Sequence, residues 1–217
     1  GGSSTRIAVN LPGLQDAAAA EAWRPREPGE PLRVVFVSRI APMKNLDYAL
    51  RVVAASPVAL SFDIYGMIDD QAYWARCRGL MAGMPRHVTI TYHGPLPHEQ
   101  VCAVLARHDV LFLPTLGENY GHVIAEALSQ GTPVLISDRT PWRDLQQAGV
   151  GWDLPLDENG RGFVSAIRAV AEMNRASYET FRRRAAQYAR TMLAHDDAAG
   201  ANRRLFMMEA VVLHGRR

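Results

Sequence analysis

From Leu32 onward, short apolar runs alternate with stretches in which apolar residues return every three or four positions. The short runs, rich in Val, Ile and Phe, predict buried strands, and the longer spacing predicts helices with one buried face. The predicted strands cover 32–38, 60–65, 88–92, 109–113 and 133–137, with a weaker strand at 150–154. The predicted helices between them cover 46–55, 69–82, 97–107, 121–130 and 141–147.

Strands that alternate with helices predict a parallel sheet whose two faces are both covered. Because such connections are right-handed, the helices fall on two sides of an open, doubly wound, Rossmann-like α/β sheet. After Asp157 the pattern is helical only, at 160–174, 178–193 and about 200–214. The expected fold class is therefore a doubly wound α/β domain with extra C-terminal helices.

The first 31 residues differ from the rest, since they are rich in Ala, Pro, Glu and Gly. We interpret 1–31 as a leader and connector, with an edge-strand candidate at 5–9 and a helical turn near 16–23. Residues 32–217 form one predicted domain, because a chain of 217 residues that is 48% hydrophobic can bury one substantial core.

The net charge and the cysteine content of the chain argue against some classes of protein. A formal net charge of +2 is too small to predict binding to nucleic acid. Two distant cysteines and the lack of a long apolar run predict a cytoplasmic protein without disulfides or membrane spans. The basic clusters of the last third, Arg182 to Arg184 among them, fit either a solvated helix face or peripheral contact with the inner face of a membrane.

An open parallel sheet binds ligands beyond the carboxyl ends of its strands, which directs attention to the loops there. The loop after the first strand carries Arg39 and Lys44, a fork and a point charge suited to phosphate, although a surface pair explains them equally well. The loop after the second strand begins with Gly66, which permits close backbone approach. We expect Asp69 or Asp70 there to cap a helix rather than bind a ligand.

The stretch from Leu111 to Gly131 has the most informative pattern, because a buried strand turns directly into a helix. The unpaired N–H groups at the start of that helix make a natural anion site. Glu118 lies in the turn, and Glu126 follows eight positions later, about 130° from the centre of the apolar stripe. Taken alone, Glu126 would be a solvated carboxylate.

The segment ENYGHVIAEAL, with SRIAPMKN upstream, resembles the E-x7-E signature of the retaining GT-B glycosyltransferases of group 1. The resemblance covers about 32–173. It implies that Arg39 and Lys44 hold the diphosphate of a nucleotide sugar, that Glu126 binds the ribose, and that Glu118 contacts the donor sugar. Further nucleotide-binding positions implied by it are Tyr120, Gly121, His122 and Val123 at the helix start and Gly66, Gly94 and Leu96 in the neighbouring loops. Ser38 and Asn45 stand where many members have Gly.

Several motifs of other classes do not occur: G-x-G-x-x-G, the P-loop, D-x-D and G-x-S-x-G. We therefore expect a metal-independent glycosyltransferase domain that binds a nucleoside diphosphate sugar, needs no cofactor and works with a preceding N-terminal domain that holds a glycan or lipid-linked acceptor. The fragment alone should be inactive in transfer. The alternatives are a nucleotide-sugar-binding domain without transferase activity and, disfavoured by E-x7-E, a sugar-nucleotide epimerase. We expect His93 and His98 to bind no metal.

Overall fold

The computed structural model of the protein describes residues 24–192 with the exception of Pro28. Within this range six parallel strands form one sheet in the order β3-β2-β1-β4-β5-β6. The strands are β1 (Leu32–Val37), β2 (Leu60–Tyr65), β3 (Val88–Gly94), β4 (Val110–Leu113), β5 (Val134–Ser137) and β6 (Gly151–Leu154). All six predicted strands are confirmed, the weak last one included.

Helices cover both faces of this sheet, as the doubly wound pattern requires. They are α1 (Leu46–Ala55), α2 (Gln71–Ala82), α3 (His98–Arg107), α4 (His122–Ser129), α5 (Leu145–Ala148), α6 (Arg161–Glu172) and α7 (175–192), with a short 3-10 turn at Pro42–Lys44. The predicted α/β fold class is confirmed. The segments predicted at 5–9, 16–23 and 200–214 lie outside the described residues.

The central strands are buried on both faces because helices cover them from both sides. Every residue of β4 and β5 is buried, whereas β2 alternates between buried and half-buried positions. Large aromatic side chains join the layers, and the ring of Phe112 on β4 lies 6.3 Å from that of Phe62 and 5.6 Å from that of Phe163 on α6. This buried aromatic cluster packs β2, β4 and α6 against one another.

One local prediction was wrong. The helix predicted at 141–147 is only the short α5, because Asp144 adopts a left-handed backbone conformation (φ 58°) and Asp153 accepts the N–H groups of Asp144 and Leu145. Asn45 stands at the start of α1, but its side chain does not cap the helix. Its Nδ2 donates to the carbonyl of Pro114 at 2.9 Å instead, so it joins two loops of the candidate site.

An ion pair with a buried carboxylate holds the segment before β1 against the sheet. Asp109, fully buried at the start of β4, binds the Arg33 guanidinium at 2.8 Å and that of Arg26 at 3.3 Å. Arg26 also donates to carbonyls at the end of α6. In the described part of the chain, no helix combines the length and hydrophobicity that crossing a bilayer requires.

Candidate functional site at the carboxyl ends of β1 and β4

The winding of the sheet reverses between β1 and β4, so a crevice opens beyond the carboxyl ends of these strands. Two loops meet there, 38–45 after β1 and 114–121 after β4. Leu116 donates its N–H to the carbonyl of Met43 at 2.8 Å, and the Thr115 hydroxyl donates to the same carbonyl at 3.0 Å. The loops predicted after the first and fourth strands are thus joined by hydrogen bonds.

Lys44 and Glu118 form an ion pair across these loops, with Nζ and Oε2 2.6 Å apart. Their side chains are only 13% and 19% exposed, so the pair is largely removed from water. A charge pair of this kind is stable only while both partners are present, because either one alone would be buried without compensation. The sequence predicted both residues for one site, and the fold brings them into contact.

Arg39 lies at the outer edge of the same crevice. Its guanidinium binds the carboxylate of Asp69 from the loop after β2, and its side chain remains 63% exposed. Asp70 caps α2 by accepting the N–H of Tyr73 at 2.9 Å, which confirms the capping role predicted for one of these two aspartates. Arg39 is therefore an exposed cation at the rim, in contrast to the enclosed Lys44.

The start of α4 depends on glycine at position 121. Gly121 has φ 81°, and a Cβ there would lie 2.7 Å from Cδ1 of Ile124 and 3.2 Å from Cγ of Glu118. Glu118 therefore passes directly beside the first turn of α4. No described residue accepts a hydrogen bond from the backbone N–H groups of Gly121, His122 or Val123. Gly121 is buried, and buried N–H groups are normally paired, so this turn is suited to an external acceptor.

Glu126 lies one turn further along α4, and its side chain is only 11% exposed. The expectation for a lone Glu at this helical angle, a solvated carboxylate, is wrong, because α3 covers this side of α4 and brings His98 Nδ1 to 3.7 Å from Glu126 Oε1. Burial raises the pKa of Glu126 above its ordinary value, and the charges of His98 and His122 lower it in part. Desolvation of this carboxylate costs stability unless a partner compensates the charge, and such perturbed groups are concentrated at functional sites.

The remaining predicted positions lie in the loops after β2 and β3. Gly66 is required by the fold itself, since a Cβ there would lie 1.8 Å from the carbonyl oxygen of Ser38. Its N–H donates to the carbonyl of Gly94 at 2.8 Å, which fixes the loop after β3 against the loop after β2. Gly94 has φ 80°, and Leu96 is half-buried against the core. β3 continues to Gly94, two residues beyond the predicted end of this strand.

The loop after β5, residues 138–144, was missed by the sequence reasoning. The carbonyl of Arg139 accepts the N–H of Glu118 at 3.1 Å, and Trp142 Nε1 donates to the carbonyl of Tyr120 at 2.6 Å. Because β5 neighbours β4, the rule that ligands bind at carboxyl strand ends already pointed to this loop. The prediction of a helix over 141–147 hid it.

His93 lies near the end of β3, where its Nε2 is 2.7 Å from Asp63 Oδ1 and its ring stacks on Tyr65. Asp63 also approaches His108 Nε2 at 3.1 Å. Burial raises the pKa of Asp63, but the hydrogen bonds from His108 and His93 outweigh it, so the pKa of Asp63 is lowered overall. Over residues 24–192, Pro28 excepted, no group of three or more His, Cys, Asp or Glu side chains is placed to hold a metal ion.

A sequence model of the family described as "Glycosyl transferases group 1" matches residues 19–192, most of the chain. This chain belongs to the group 1 glycosyltransferases. A D-inositol 3-phosphate glycosyltransferase of Nocardia farcinica is 32% identical over 152 residues, which are 64% of this chain and 34% of that protein. The chain thus spans about a third of the length of this relative.

Solved structures confirm the fold. Sucrose-phosphate synthase from Thermosynechococcus elongatus superimposes with a TM-score of 0.64 at 20% identity, over 86% of this chain and 50% of that one. Anabaena Alr3699/HepE, solved in complex with UDP and glucose, gives a TM-score of 0.61 at 19% identity, over 73% and 43% of the two chains. The group 1 chain thus has the Rossmann-like fold of the GT-B glycosyltransferases, as expected from the two motifs.

Proposed function

We propose that this chain is the donor-binding part of a retaining glycosyltransferase that takes its sugar from a nucleoside diphosphate sugar without a metal ion. The observation that carries the proposal is the enclosed Lys44–Glu118 pair beside the first turn of α4. A cation, a carboxylate and three backbone N–H groups without acceptors among the described residues meet at one sheet edge. Such a set matches a ligand that joins an anion to a polyhydroxyl group.

Each part of the donor has a partner in this arrangement. Glu126 accepts two hydrogen bonds from the vicinal ribose hydroxyls, a task that suits a carboxylate. Lys44 and Arg39 neutralise the diphosphate together with the N–H groups at the start of α4. Glu118 accepts hydrogen bonds from the donor sugar. The loop that contains Gly94 and Leu96 borders the base.

Transfer breaks the bond between the sugar C1 and the diphosphate oxygen, so negative charge develops on the leaving group. Lys44 and the first turn of α4 would stabilise this charge electrostatically, from positions fixed before the reaction begins. Removal of one such preorganised donor typically costs about 10²- to 10³-fold in kcat. The family relationship, and a structural neighbour solved with UDP and glucose, support this choice of donor class.

We place the acceptor site in a further domain, because the chain spans 34% of the Nocardia relative. The same observation supports the second candidate, a domain that binds nucleotide sugars without transferring them. Positioning two reactants supplies several kcal/mol of a reaction barrier, so a donor wall alone should hydrolyse its donor slowly at most.

The first experiment is calorimetric titration of the chain with UDP, GDP, uridine and guanosine in excess EDTA. One of the two diphosphates should bind at least about 10-fold more tightly than its nucleoside, since charge-assisted bonds to phosphate are the strong ones. Binding that requires added divalent metal, or equal affinity for nucleoside and diphosphate, would contradict the proposal.

The second experiment separates the two candidates. Donor turnover is followed by mass spectrometry for the 217-residue chain and for a longer chain that includes the preceding coding sequence. Transfer by the longer chain alone supports the two-domain transferase. Absence of transfer by both, with donor binding intact, supports the binding domain, and efficient transfer by the short chain would refute the division of the site between two domains.

A further inference from the structure

Trp142, in the loop after β5, contacts the turn that precedes α4. The residue is 7% exposed, and its ring lies 6.1 Å from that of Tyr120 and 6.5 Å from that of Tyr188 on α7. Its Nε1 donates to the carbonyl oxygen of Tyr120 at 2.6 Å. An indole has a single N–H donor, so this bond uses the whole hydrogen-bonding capacity of the side chain.

The hydrogen bond fixes the orientation of the peptide between Tyr120 and Gly121. In a planar trans peptide the C=O and the following N–H point in opposite directions. With the carbonyl of Tyr120 held toward Trp142, the N–H of Gly121 must point away from Trp142. This N–H has no acceptor among the described residues, although Gly121 is buried.

The same loop also holds the other end of this turn. Glu118 donates its N–H to the carbonyl of Arg139, three residues before Trp142, at 3.1 Å. One loop therefore holds the turn 118–121 at both ends by hydrogen bonds. A segment held in this way keeps its N–H groups aligned before a ligand arrives, which is the condition for electrostatic preorganisation.

We propose that Trp142 is a positioning residue for the diphosphate: it orients the Tyr120–Gly121 peptide so that the Gly121 N–H faces the distal phosphate. The inference rests on the proposed donor site. Trp142 itself touches no ligand and acts through the peptide. Loss of its N–H should weaken contacts to phosphate while contacts to ribose and base, which involve Glu126 and the loop after β3, persist.

The test is Trp142→Phe, which keeps an aromatic ring and removes the donor. Its matched control is Trp152→Phe, since Trp152 packs edge-on against Phe181 away from the crevice. Both variants and the wild type are titrated with UDP, GDP, uridine and guanosine. Trp142→Phe should lose about 3- to 10-fold in affinity for the bound diphosphate, the effect of one hydrogen bond, and less than about 2-fold for the nucleoside. Trp152→Phe should change neither.

A merely structural Trp142 would lower both affinities together or neither, and either result overturns the assignment. A wild-type chain that binds no diphosphate overturns the donor site and this inference with it, whereas wild-type binding with unchanged Trp142→Phe overturns only the role of Trp142. Should the variant not fold, NMR of the wild type decides. The indole N–H of Trp142 and the amide of Gly121 should shift with diphosphate and not with nucleoside, and unshifted signals at saturation refute the proposal.

Discussion

Replacement of Glu126 by Gln should make the protein more stable and at the same time weaken nucleotide binding. The Glu126 side chain is 11% exposed, and burial raises the pKa of its carboxyl group. At neutral pH the ionised form is therefore held in the folded protein against its preference for water. Gln keeps the shape of the side chain and removes the charge, so the folded state loses this penalty.

The sign of the pH dependence follows from the direction of the shift. Because the folded-state pKa of Glu126 lies above the unfolded-state value, the folded protein binds more protons between the two values, and stability falls as pH rises through that window. The gain from Glu126→Gln should be complete above the folded-state pKa. It should vanish below the ordinary pKa of glutamate, about 4.3.

The loss in binding follows from the charge. A hydrogen bond to a charged group contributes about 1.5–3 kcal/mol, so a ribose that loses its carboxylate partner should bind about 10- to 100-fold more weakly. Thermal unfolding between about pH 4 and pH 8, followed by calorimetry with the nucleotide that the wild type binds, measures both effects on one sample.

Glu172→Gln is the control, because Glu172 lies on α6 with 58% of its side chain exposed and pairs with Arg168. It should change neither the affinity nor the pH profile. Unchanged affinity in a folded Glu126→Gln protein would remove Glu126 from the site. A lower melting temperature at neutral pH would show that the Glu126 charge stabilises the fold, contrary to the argument from burial.

Three further predictions concern the crevice. Arg39→Ala should lower diphosphate affinity about 10-fold and leave melting temperature and nucleoside affinity unchanged, since the ion pair of Arg39 is exposed. The control in calorimetry is Arg168→Ala, because Arg168 is an equally exposed arginine. Gly121→Ala should destabilise the fold by about 1–3 kcal/mol in urea unfolding, because Gly121 has a positive φ and a Cβ would contact Ile124. The control is Gly79→Ala on α2, which has open space around it and should not destabilise the fold. Equal effects of the two substitutions would contradict the strain argument. Glu118→Ala should not lower affinity for the free diphosphate, but it should abolish the advantage of the nucleotide sugar, and a parallel loss of both would make Glu118 structural.

The strands and the edge of the sheet that carries the candidate site were predictable because they depend on local patterns. Apolar runs bounded by turns identified every strand, and the rule that open parallel sheets bind ligands beyond their carboxyl ends pointed to the loops there. Lys44 and Glu118 stand 74 positions apart, and the resemblance of their two segments to the family motifs assigned both to one site. Their direct contact depends on the order of strands in the sheet, which the sequence pattern did not predict.

What sequence reasoning missed depends on how elements pack. The helical angle of Glu126 was calculated for α4 alone, and its burial comes from α3, whose His98 stands beside it. Trp142 belongs to a segment in which a short apolar spacing imitated a helix, while the left-handed Asp144 breaks that helix at its start. Side-chain partners across such loops depend on three-dimensional packing, which the periodicity of one segment does not predict.

The Lys44–Glu118 pair links diphosphate and sugar recognition in the proposed reaction. In the proposed reaction, a diphosphate oxygen bound to Lys44 would compete with the carboxylate of Glu118 for the same ammonium group. Glu118 is 19% exposed, and weakening of this ion pair would leave it desolvated with less compensation. Sugar hydroxyls can supply the missing donors, so the intact donor satisfies both groups and the diphosphate alone satisfies one. If the proposed transfer removes the sugar, Glu118 should again compete for Lys44 and favour release of the diphosphate. This exchange requires that the two residues be neighbours, and the hydrogen bonds from Leu116 and Thr115 to the carbonyl of Met43 hold their loops together.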